Sequence, residues 1–421
     1  MSAQSENGIA IDIGTTNITI HLVNLDDNSI LRELTLRNPQ YHYGDDIITR
    51  VAYSLRNDFS RRSLIDLVRD AVKSGINSVL QDVSIEPSKI TKVAAVGNTV
   101  MHHLFFDLPV VSLSKPPYSA TNKESIVVDC SDVGLDFLEN AQCYSPPIVE
   151  SFIGSDAIAV LVASGFLDSD EIRLTIDVGT NTEVSLITPL GIWIASGASG
   201  PAFEGWATTC GMGGESGAIS KVTIDPNTYA PTISVIGDSA PVGICGTGSI
   251  SVMAALLNSG LLFSRGSFDR NKRTKWLSFD GSIIKYLLAT GDTTQTSKDI
   301  FVSQPDIRML QQSKAAIRGV IEMVLKRAGR EAEDIKEVHL TGIFGSDLDV
   351  EDLYRIGMFP HFANAKITQT PNSAVDGAAL LLQESNRQLV EKLVPKLNYI
   401  ELTLEEEFKR LYLENMPFPS K

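Results

Sequence analysis

Alternating apolar and polar positions predict a β-hairpin close to the start of the chain. The stretch "IAIDIGTTNITIHLVNL" (residues 9–25) is apolar before a glycine- and threonine-rich turn and alternates with a period of two after it. This period is typical of a half-buried strand. The pattern therefore predicts two strands joined by the turn "DIGTTN". An ordinary turn whose hydroxyl groups bond their own backbone explains one such sequence equally well.

The same pattern occurs a second time. Residues 172–196, "IRLTIDVGTNTEVSLITPLGIWIAS", again predict a strand, a D-x-G-T turn and two further strands, with Asp177 placed 165 residues after Asp12. Later in each half, a strand leads into a glycine turn, in "KVAAVGNTVMHHLF" (92–105) and "EVHLTGIFGSDLD" (337–349). The chain is therefore predicted to be an internal duplication of class α/β.

Two segments rich in small residues predict helices that cross closely. They are "GSDAIAVLVASG" (154–165) and "SAVDGAALLL" (373–382). Small side chains at helical spacing allow two backbones to approach, so we expect these helices to act as a hinge between two lobes. Ordinary helix packing is the alternative. We predict a first lobe at 8–168, a larger second lobe at 169–388 and a C-terminal tail at 389–421 that packs on the body.

The duplicated turns favour a polyphosphate ligand. Glycine allows backbone N–H groups to approach phosphate oxygens, threonine adds a hydroxyl group, and an aspartate binds Mg²⁺ directly or through water. Two further glycine segments support this interpretation. "GICGTGS" (243–249) leads into a predicted helix whose N-terminus suits an anion, and "TGIFG" (341–345) suits close contact with an adenine ring.

Composition excludes several other classes of function. The formal net charge is −15, from 51 acidic and 36 basic residues, which argues against nucleic-acid binding by a basic surface. No apolar run approaches the roughly 20 residues of a membrane span, so we expect a cytoplasmic protein without a membrane partner. The four cysteines form no C-x-x-C pair, and we expect no intrinsic iron–sulfur cluster in this chain.

These motifs resemble those of the actin, sugar-kinase and heat-shock chaperone ATPase superfamily. Within it, strings such as "NPQYHYGDDIITRV", "VGNTVMHHLF", "SGPAFEG", "GICGTGS" and "LENMPFP" resemble the reductive activators of corrinoid-dependent methyltransferases. The resemblance implies a two-lobed actin-like fold, with duplicated ribonuclease-H-like lobes and a nucleotide cleft between them. It also implies ATP-dependent reduction of a corrinoid protein from Co(II) to Co(I), and a homodimer.

The sequence departs from this family in one respect that bears on electron transfer. The family couples its ATPase body to an iron–sulfur domain, and we find none before Gly8 or after the body. We therefore expect this chain to supply the ATPase part, with an external or fused iron–sulfur electron donor. Two other functions stay open: a small-molecule kinase on the same fold, and a non-catalytic ATP-sensing interaction protein.

Candidate site residues follow from the motifs and the resemblance. Asp156 and Glu204 are the candidate catalytic carboxylates, although a helix dipole alone also favours an acidic residue at position 156. Lys314 is a candidate for contact with a phosphate or ribose, and a solvated helix face is its alternative. Asp12 and Asp177 are the candidate Mg²⁺ ligands. The predicted ATP-binding set is Asp12, Gly14, Thr15, Thr16, Asp177, Gly179, Thr180, Asn181, Gly246, Thr247, Gly248, Lys314, Gly342, Phe344 and Gly345.

Overall fold

The hairpin predicted at residues 9–25 is present in the computed structural model of the chain. The structure describes residues 6–44, 46–116, 118–167, 170–205, 207–280, 283–342, 348–403 and 405–420. The chain divides into two units, which we describe separately. Unit 1 comprises residues 1–170, 187–192 and 372–399, and unit 2 comprises 171–186, 193–371 and 400–421. The lobe boundaries expected from the sequence stay a prediction.

A six-stranded sheet forms the centre of unit 1, in the order β3-β2-β1-β4-β6-β5. β1 is antiparallel to β2 and parallel to β4, with Asp12 opposite both Thr19 and Val96. The apolar side chains of β1 and β2 are almost fully buried, which explains their dense isoleucine content. The strands are β1 (Asn7–Ile13), β2 (Asn17–Asn24), β3 (Ile30–Arg37), β4 (Ile90–Gly97), β5 (Ile126–Asp129) and β6 (Gln142–Ser145).

Helices cover the sheet of unit 1, and the longest of them begins at a side chain that caps it. Asn57 accepts a hydrogen bond from the backbone N–H of Ser60 at the start of the longest helix, α2, and its apolar stripe of Leu64, Val68 and Val72 enters the core. The first four helices of the chain are α1 (Ile47–Ser54), α2 (Asp58–Asp82), α3 (Thr99–Phe105) and α4 (Ser155–Ala163).

The predicted strand, turn and two strands of the second motif are also present, at the centre of the main sheet of unit 2. Its strands include the order β17-β16-β7-β8-β9, and β7 runs parallel to β16. The strands that follow the first six are β7 (Arg173–Val178), β8 (Asn181–Thr188), β9 (Gly191–Ala198), β10 (Ala218–Ile224), β11 (Pro231–Val235), β12 (Gly243–Ile244), β13 (Leu277–Asp280), β14 (Ile283–Ala289), β15 (Ile300–Ser303), β16 (Glu337–Gly342) and β17 (Lys366–Gln369).

Three helices of unit 2 complete its core. The longest of them begins at Gln304, because Ser303 caps it and forms a reciprocal capping box with Asp306. Such a pair satisfies backbone N–H groups that have no partner inside the helix. These helices are α5 (Gly246–Asn258), α6 (Gln304–Arg327) and α7 (Val350–Ile356).

The C-terminal region contains further helices and a short strand. The elements after β17 are α8 (Ser373–Leu380), α9 (Glu384–Leu393), β18 (Leu397–Tyr399) and α10 (Glu406–Glu414). No helix in the described ranges is both long and apolar enough to cross a membrane.

The predicted close crossing of the two small-residue helices is confirmed within unit 1. α4 and α8 pack against each other, and a β-carbon at Gly377 would lie 1.9 Å from the carbonyl oxygen of Ala159. The helices therefore meet backbone to backbone. Their role as a hinge stays a prediction.

Candidate nucleotide-binding residues

In unit 1 the first D-x-G-T segment forms a tight loop between β1 and β2. A β-carbon at Gly14 would lie 2.6 Å from the carbonyl oxygen of Asn17, so the turn has room only for glycine. Asn98 donates its side-chain N–H to Oγ1 of Thr15 at 3.0 Å. Asp12 and Thr16 are half-buried in the same loop region. The loop thus presents hydroxyl groups and one carboxylate from a rigid backbone.

Asp156 lies at the same end of the sheet as this loop. It lies in the first turn of α4, which is fixed to the end of β4 by paired hydrogen bonds between the Ser155 hydroxyl and Gly97, at 3.0 and 3.1 Å. Gly97 is in turn opposite Ile13 of β1. Burial raises the pKa of Asp156 to about 6, and a hydrogen bond from the backbone N–H of Ala157 opposes part of that rise. A carboxyl group of this pKa suits proton transfer near neutral pH.

In unit 2 the second loop contacts the other candidate carboxylate. The hydroxyl of Thr180 donates a short hydrogen bond to Oε1 of Glu204, which lies at the end of a 3₁₀ turn, Pro201–Glu204. The backbone N–H of Gly179 donates to the carbonyl oxygen of Asn181 at 2.8 Å. The structure therefore brings together two residues that the sequence had nominated independently.

Gly342 lies directly beside the carboxylate of Asp177. The two lie on neighbouring strands, with Thr341 opposite Asp177. Gly342 has a φ of +98°, and a β-carbon there would lie 2.6 Å from Oδ1 of Asp177 and 2.2 Å from the carbonyl oxygen of Val178. Only glycine leaves this space open beside the carboxylate. The predicted residues Phe344 and Gly345 lie outside the described residues.

The glycines at the start of α5 are explained by packing. A β-carbon at Gly246 would lie 2.1 Å from the carbonyl oxygen of Phe203, and one at Gly248 would lie 2.0 Å from that of Ile219. Thr247 is buried, with Oγ1 3.1 Å from Sγ of Cys245. Since Phe203 precedes Glu204, the first turn of α5 packs on the turn that carries the carboxylate. No side chain caps this helix, so its N-terminal N–H groups suit an anion.

Lys314 is directed to the C-terminal segment and not to a solvated helix face. Its side chain is 1% exposed, and Nζ donates hydrogen bonds to the carbonyl oxygens of Asn415 and Pro417, the latter at 2.7 Å. Burial, with the nearby charge of Arg318, lowers the pKa of Lys314 to about 7. The expectation of a solvated helix face at Lys314 is therefore wrong. Its contact with a phosphate or ribose stays a prediction.

Sequence reasoning missed the side chains that fix the two loops. The sequence pattern indicates Asn98 only as part of a glycine turn, and it does not distinguish Asn38 or Ser199 from their neighbours. Asn38 is fully buried and donates its side-chain N–H to the carbonyl oxygen of Gly14 at 2.9 Å. Ser199 similarly lies 2.9 Å from that of Gly179. Their position directly after the third strand of each repeated motif is a signal that the sequence contained.

Comparison with known proteins identifies the family of both segments. Residues 7–169 match the RACo middle region, and residues 171–421 match the C-terminal domain of RACo, described as the ASKHA domain. Together with the mixed sheets described above, this match confirms the predicted actin-like α/β class. An ASKHA ATPase domain implies ATP binding.

Individual relatives agree with the family match. The chain is 30% identical over 419 residues to corrinoid activation enzyme RamQ of Eubacterium limosum, covering 98% of this chain and 70% of that protein. It is 26% identical to a [Co(II) methylated amine-specific corrinoid protein] reductase of Methanosarcina barkeri, covering 96% of this chain and 76% of that one. The solved structure of a reductive activator for corrinoid, iron-sulfur protein superposes with a TM-score of 0.91 at 29% identity, over 100% of this chain and 67% of that chain.

Proposed function

Because the chain belongs to the RACo family of reductive activators of corrinoid proteins, we propose that it uses ATP to drive reduction of a corrinoid protein from Co(II) to Co(I). One electron from a donor reduces the cobalt, and ATP with water gives ADP and phosphate. The contact between Thr180 and Glu204 carries the ATPase part of the proposal. It joins a carboxylate to the second D-x-G-T loop, in the segment that matches the ASKHA domain.

The loop residues described above would hold the nucleotide. Backbone N–H groups and hydroxyls suit phosphate oxygens, and the tight turn at Gly14 keeps the first loop backbone in one conformation. The space beside Asp177 that a β-carbon at Gly342 would fill supports binding of a group at that carboxylate. The proposed set is Asp12, Gly14, Thr15, Thr16, Asp177, Gly179, Thr180, Asn181, Gly246, Thr247, Gly248 and Gly342.

The carboxylates of Asp12 and Asp177 would hold Mg²⁺. This ion takes one or two carboxylates and keeps water and phosphate oxygens as its other ligands, so a protein site with few carboxylates fits it. Among the described residues there is no cluster of three or more potential metal-binding side chains. When bound, Mg²⁺ supplies positive charge that stabilises the phosphate oxygens during transfer.

Glu204 and Asp156 are the proposed carboxylates for water activation. Glu204 is fixed by the Thr180 hydroxyl, so that one of its oxygens is oriented by the loop. Asp156 has its pKa raised to about 6 and would accept a proton near neutral pH. We assign the orientation of water to Glu204 and proton transfer to Asp156.

The electron would come from an iron–sulfur centre that is external or fused to these residues. The four cysteines are all free thiols, and three of them are buried. Burial raises the pKa of Cys130 to about 12 and raises the pKa of Cys143 well above its usual range, so both thiols are protonated near neutral pH. We also propose that the chain is cytoplasmic and, from the family resemblance, that it forms a homodimer; sedimentation of the purified chain tests the dimer.

The experiment is ATP turnover with and without a Co(II) corrinoid protein and a low-potential reductant. We expect hydrolysis to rise when the corrinoid protein is added and the Co(I) absorbance to appear only with ATP. Hydrolysis that is indifferent to the corrinoid protein, together with no Co(I), contradicts the proposal. Phosphorylation of a small molecule in its place would favour a kinase.

A further inference from the structure

In each unit, the residue that follows the third strand of the repeated motif holds the loop between the first two strands. Asn38 follows β3; its Nδ2 donates to the carbonyl oxygen of Gly14 at 2.9 Å, and its backbone N–H donates to that of Thr16 at 2.8 Å. Asn38 therefore anchors the first loop through two hydrogen bonds.

Ser199 follows β9 and makes a similar pair of contacts, although its backbone N–H bonds the first residue after the loop glycine, whereas that of Asn38 bonds the second. Its hydroxyl lies 2.9 Å from the carbonyl oxygen of Gly179, and its backbone N–H donates to that of Thr180 at 3.0 Å. One anchor is an amide and the other a hydroxyl. The shared feature is therefore the bond to the glycine carbonyl and not the residue type.

Both anchors are themselves held in place. Asn38 is 0% exposed, and its Oδ1 accepts the backbone N–H of Gln40 at 3.0 Å. Ser199 is 5% exposed, and its hydroxyl lies 2.8 Å from Oγ1 of Thr182. Buried polar groups with fixed partners keep one orientation. The loop carbonyls are therefore bonded to rigid donors.

Fixing these carbonyls also fixes the following N–H groups. A trans peptide is planar, and its C=O and N–H point in opposite directions. With the Gly14 carbonyl directed at Asn38, the N–H of Thr15 points to the other side of the loop. The same holds for the N–H of Thr180 when the Gly179 carbonyl is directed at Ser199.

We propose that Asn38 and Ser199 are positioning residues that aim the backbone N–H groups of Thr15 and Thr180 at phosphate oxygens of ATP. This inference rests on the proposed ATP-dependent function. Asn38 and Ser199 thus have the same role in the two repeats, although their side chains differ in chemistry. Both residues should affect binding of the phosphate groups of ATP and not binding of its nucleoside.

The test compares affinities for Mg-ATP and for adenosine, measured by calorimetry on the full chain. Asn38→Asp keeps the acceptor for Gln40 and removes the donor to Gly14, and Ser199→Ala removes the hydroxyl. We expect each variant to bind Mg-ATP about threefold to tenfold more weakly, the usual range for one lost hydrogen bond, and to bind adenosine like the wild type. Ser199→Thr keeps the hydroxyl and, unlike Ser199→Ala, should bind Mg-ATP with the wild-type affinity.

Ser54→Ala and Ser259→Ala are the matched controls. Each removes a serine hydroxyl that donates to a helix carbonyl, that of Val51 at 2.7 Å and that of Leu256 at 3.1 Å, and both should bind Mg-ATP like the wild type. Equal weakening for ATP and adenosine would show a general structural role and overturn the inference, as would unchanged ATP affinity in both anchor variants. Ser199→Ala decides the question if Asn38→Asp does not fold. A wild type that binds no ATP would overturn the proposed function itself.

Discussion

The hydroxyl of Thr180 donates a hydrogen bond to the carboxylate of Glu204, 24 residues further along the chain. The bond joins the second D-x-G-T loop to the 3₁₀ turn at Pro201–Glu204. Because the first turn of α5 packs on the same turn through Gly246 and Phe203, the loop, the carboxylate and the helix start are connected by direct contacts. A displacement of Glu204 would therefore also displace the loop.

Glu204→Gln tests the chemical role of this carboxylate. The amide oxygen still accepts from Thr180, so we expect ATP affinity to change by less than about threefold. Hydrolysis should fall by about 10²–10⁴, the usual contribution of a positioned acid or base. Steady-state ATPase assays and calorimetry on the same preparation measure the two effects.

Glu183→Gln is the matched control for Glu204→Gln. Glu183 accepts a hydrogen bond from the Ser196 hydroxyl at 2.7 Å, on strands of the same sheet. Its replacement should leave hydrolysis unchanged. Equal rates for Glu204→Gln and the wild type would remove Glu204 from the proposed mechanism.

Gly342→Ala should disturb Asp177 directly. The added methyl group would lie 2.6 Å from the carboxylate and 2.2 Å from a backbone carbonyl, so we expect destabilisation above about 3 kcal/mol and lower ATP affinity. Gly329→Ala separates the clash from backbone strain, because Gly329 has a φ of +64° with nothing within 4 Å of the added carbon. That control should cost about 1–2 kcal/mol and leave ATP affinity intact. Similar losses in the two variants, by urea denaturation, would contradict the clash.

Local sequence patterns were sufficient for the elements but not for the contacts between them. The D-x-G-T loops were predictable because strand periodicity and turn residues act over about ten positions. Thr180 and Glu204 were each nominated, yet their hydrogen bond depends on how the 3₁₀ turn folds back on the loop. Asn38 and Ser199 were missed because each acts on a loop some 20 residues earlier, a distance over which no periodicity links them.

Lys314 shows the same limit more strongly. Its partners, Asn415 and Pro417, lie about 100 residues further along the chain. A lysine in an amphipathic helix looks solvated when only its own helix is considered. Packing of the C-terminal segment over α6 buried it.

Asp156→Asn should change how stability depends on pH. The native pKa of about 6 lies above the ordinary value of 3.8, so the folded chain binds the proton more tightly and loses stability as the pH rises from about 4 to 6. The asparagine variant lacks this loss. We expect it to be more stable above pH 7 by up to about 3 kcal/mol, at 1.36 kcal/mol per pKa unit, and equally stable below pH 4.

Urea denaturation of both proteins from pH 4 to 8 measures this difference. Ser155→Ala, which removes the neighbouring hydroxyl and keeps the carboxyl group, should retain the wild-type slope. The same slope in Asp156→Asn would show that Asp156 titrates normally. If Asp156 also serves in proton transfer, the more stable variant should hydrolyse ATP more slowly.

Ala378→Leu tests the crossing of α4 and α8. Ala378 is fully buried, so the larger side chain should overpack the crossing and destabilise the chain by about 1–3 kcal/mol. If the helices act as a hinge, ATP hydrolysis should fall more than ATP binding. Ala379→Leu, at a half-buried position of the same helix, should have a smaller effect. Normal hydrolysis in a folded but destabilised Ala378→Leu would argue against the hinge.

Lys314→Met distinguishes the two assignments of this lysine. Removing the ammonium leaves the carbonyl oxygens of Asn415 and Pro417 without this donor, at a total cost of about 1–3 kcal/mol because neither residue is fully buried. The C-terminal segment should loosen, so that the backbone N–H of Phe418, which donates to Ser264 at 2.7 Å, exchanges faster with solvent. Lys326→Met, at an exposed ion pair on the same helix, should cost no more than about 1 kcal/mol.

The pH dependence gives an independent check, because the native pKa of Lys314, about 7, lies below its ordinary value of 10.5. Between these values the unfolded chain binds more protons, so the wild type should gain stability as the pH rises from 7 towards 10. Lys314→Met should lack that gain, and urea denaturation at pH 7, 8 and 9 measures it. Normal ATP affinity in Lys314→Met, with faster exchange at Phe418, would identify the lysine as the anchor of the C-terminal segment. Weaker ATP binding with the Phe418 N–H still protected would instead support its contact with nucleotide.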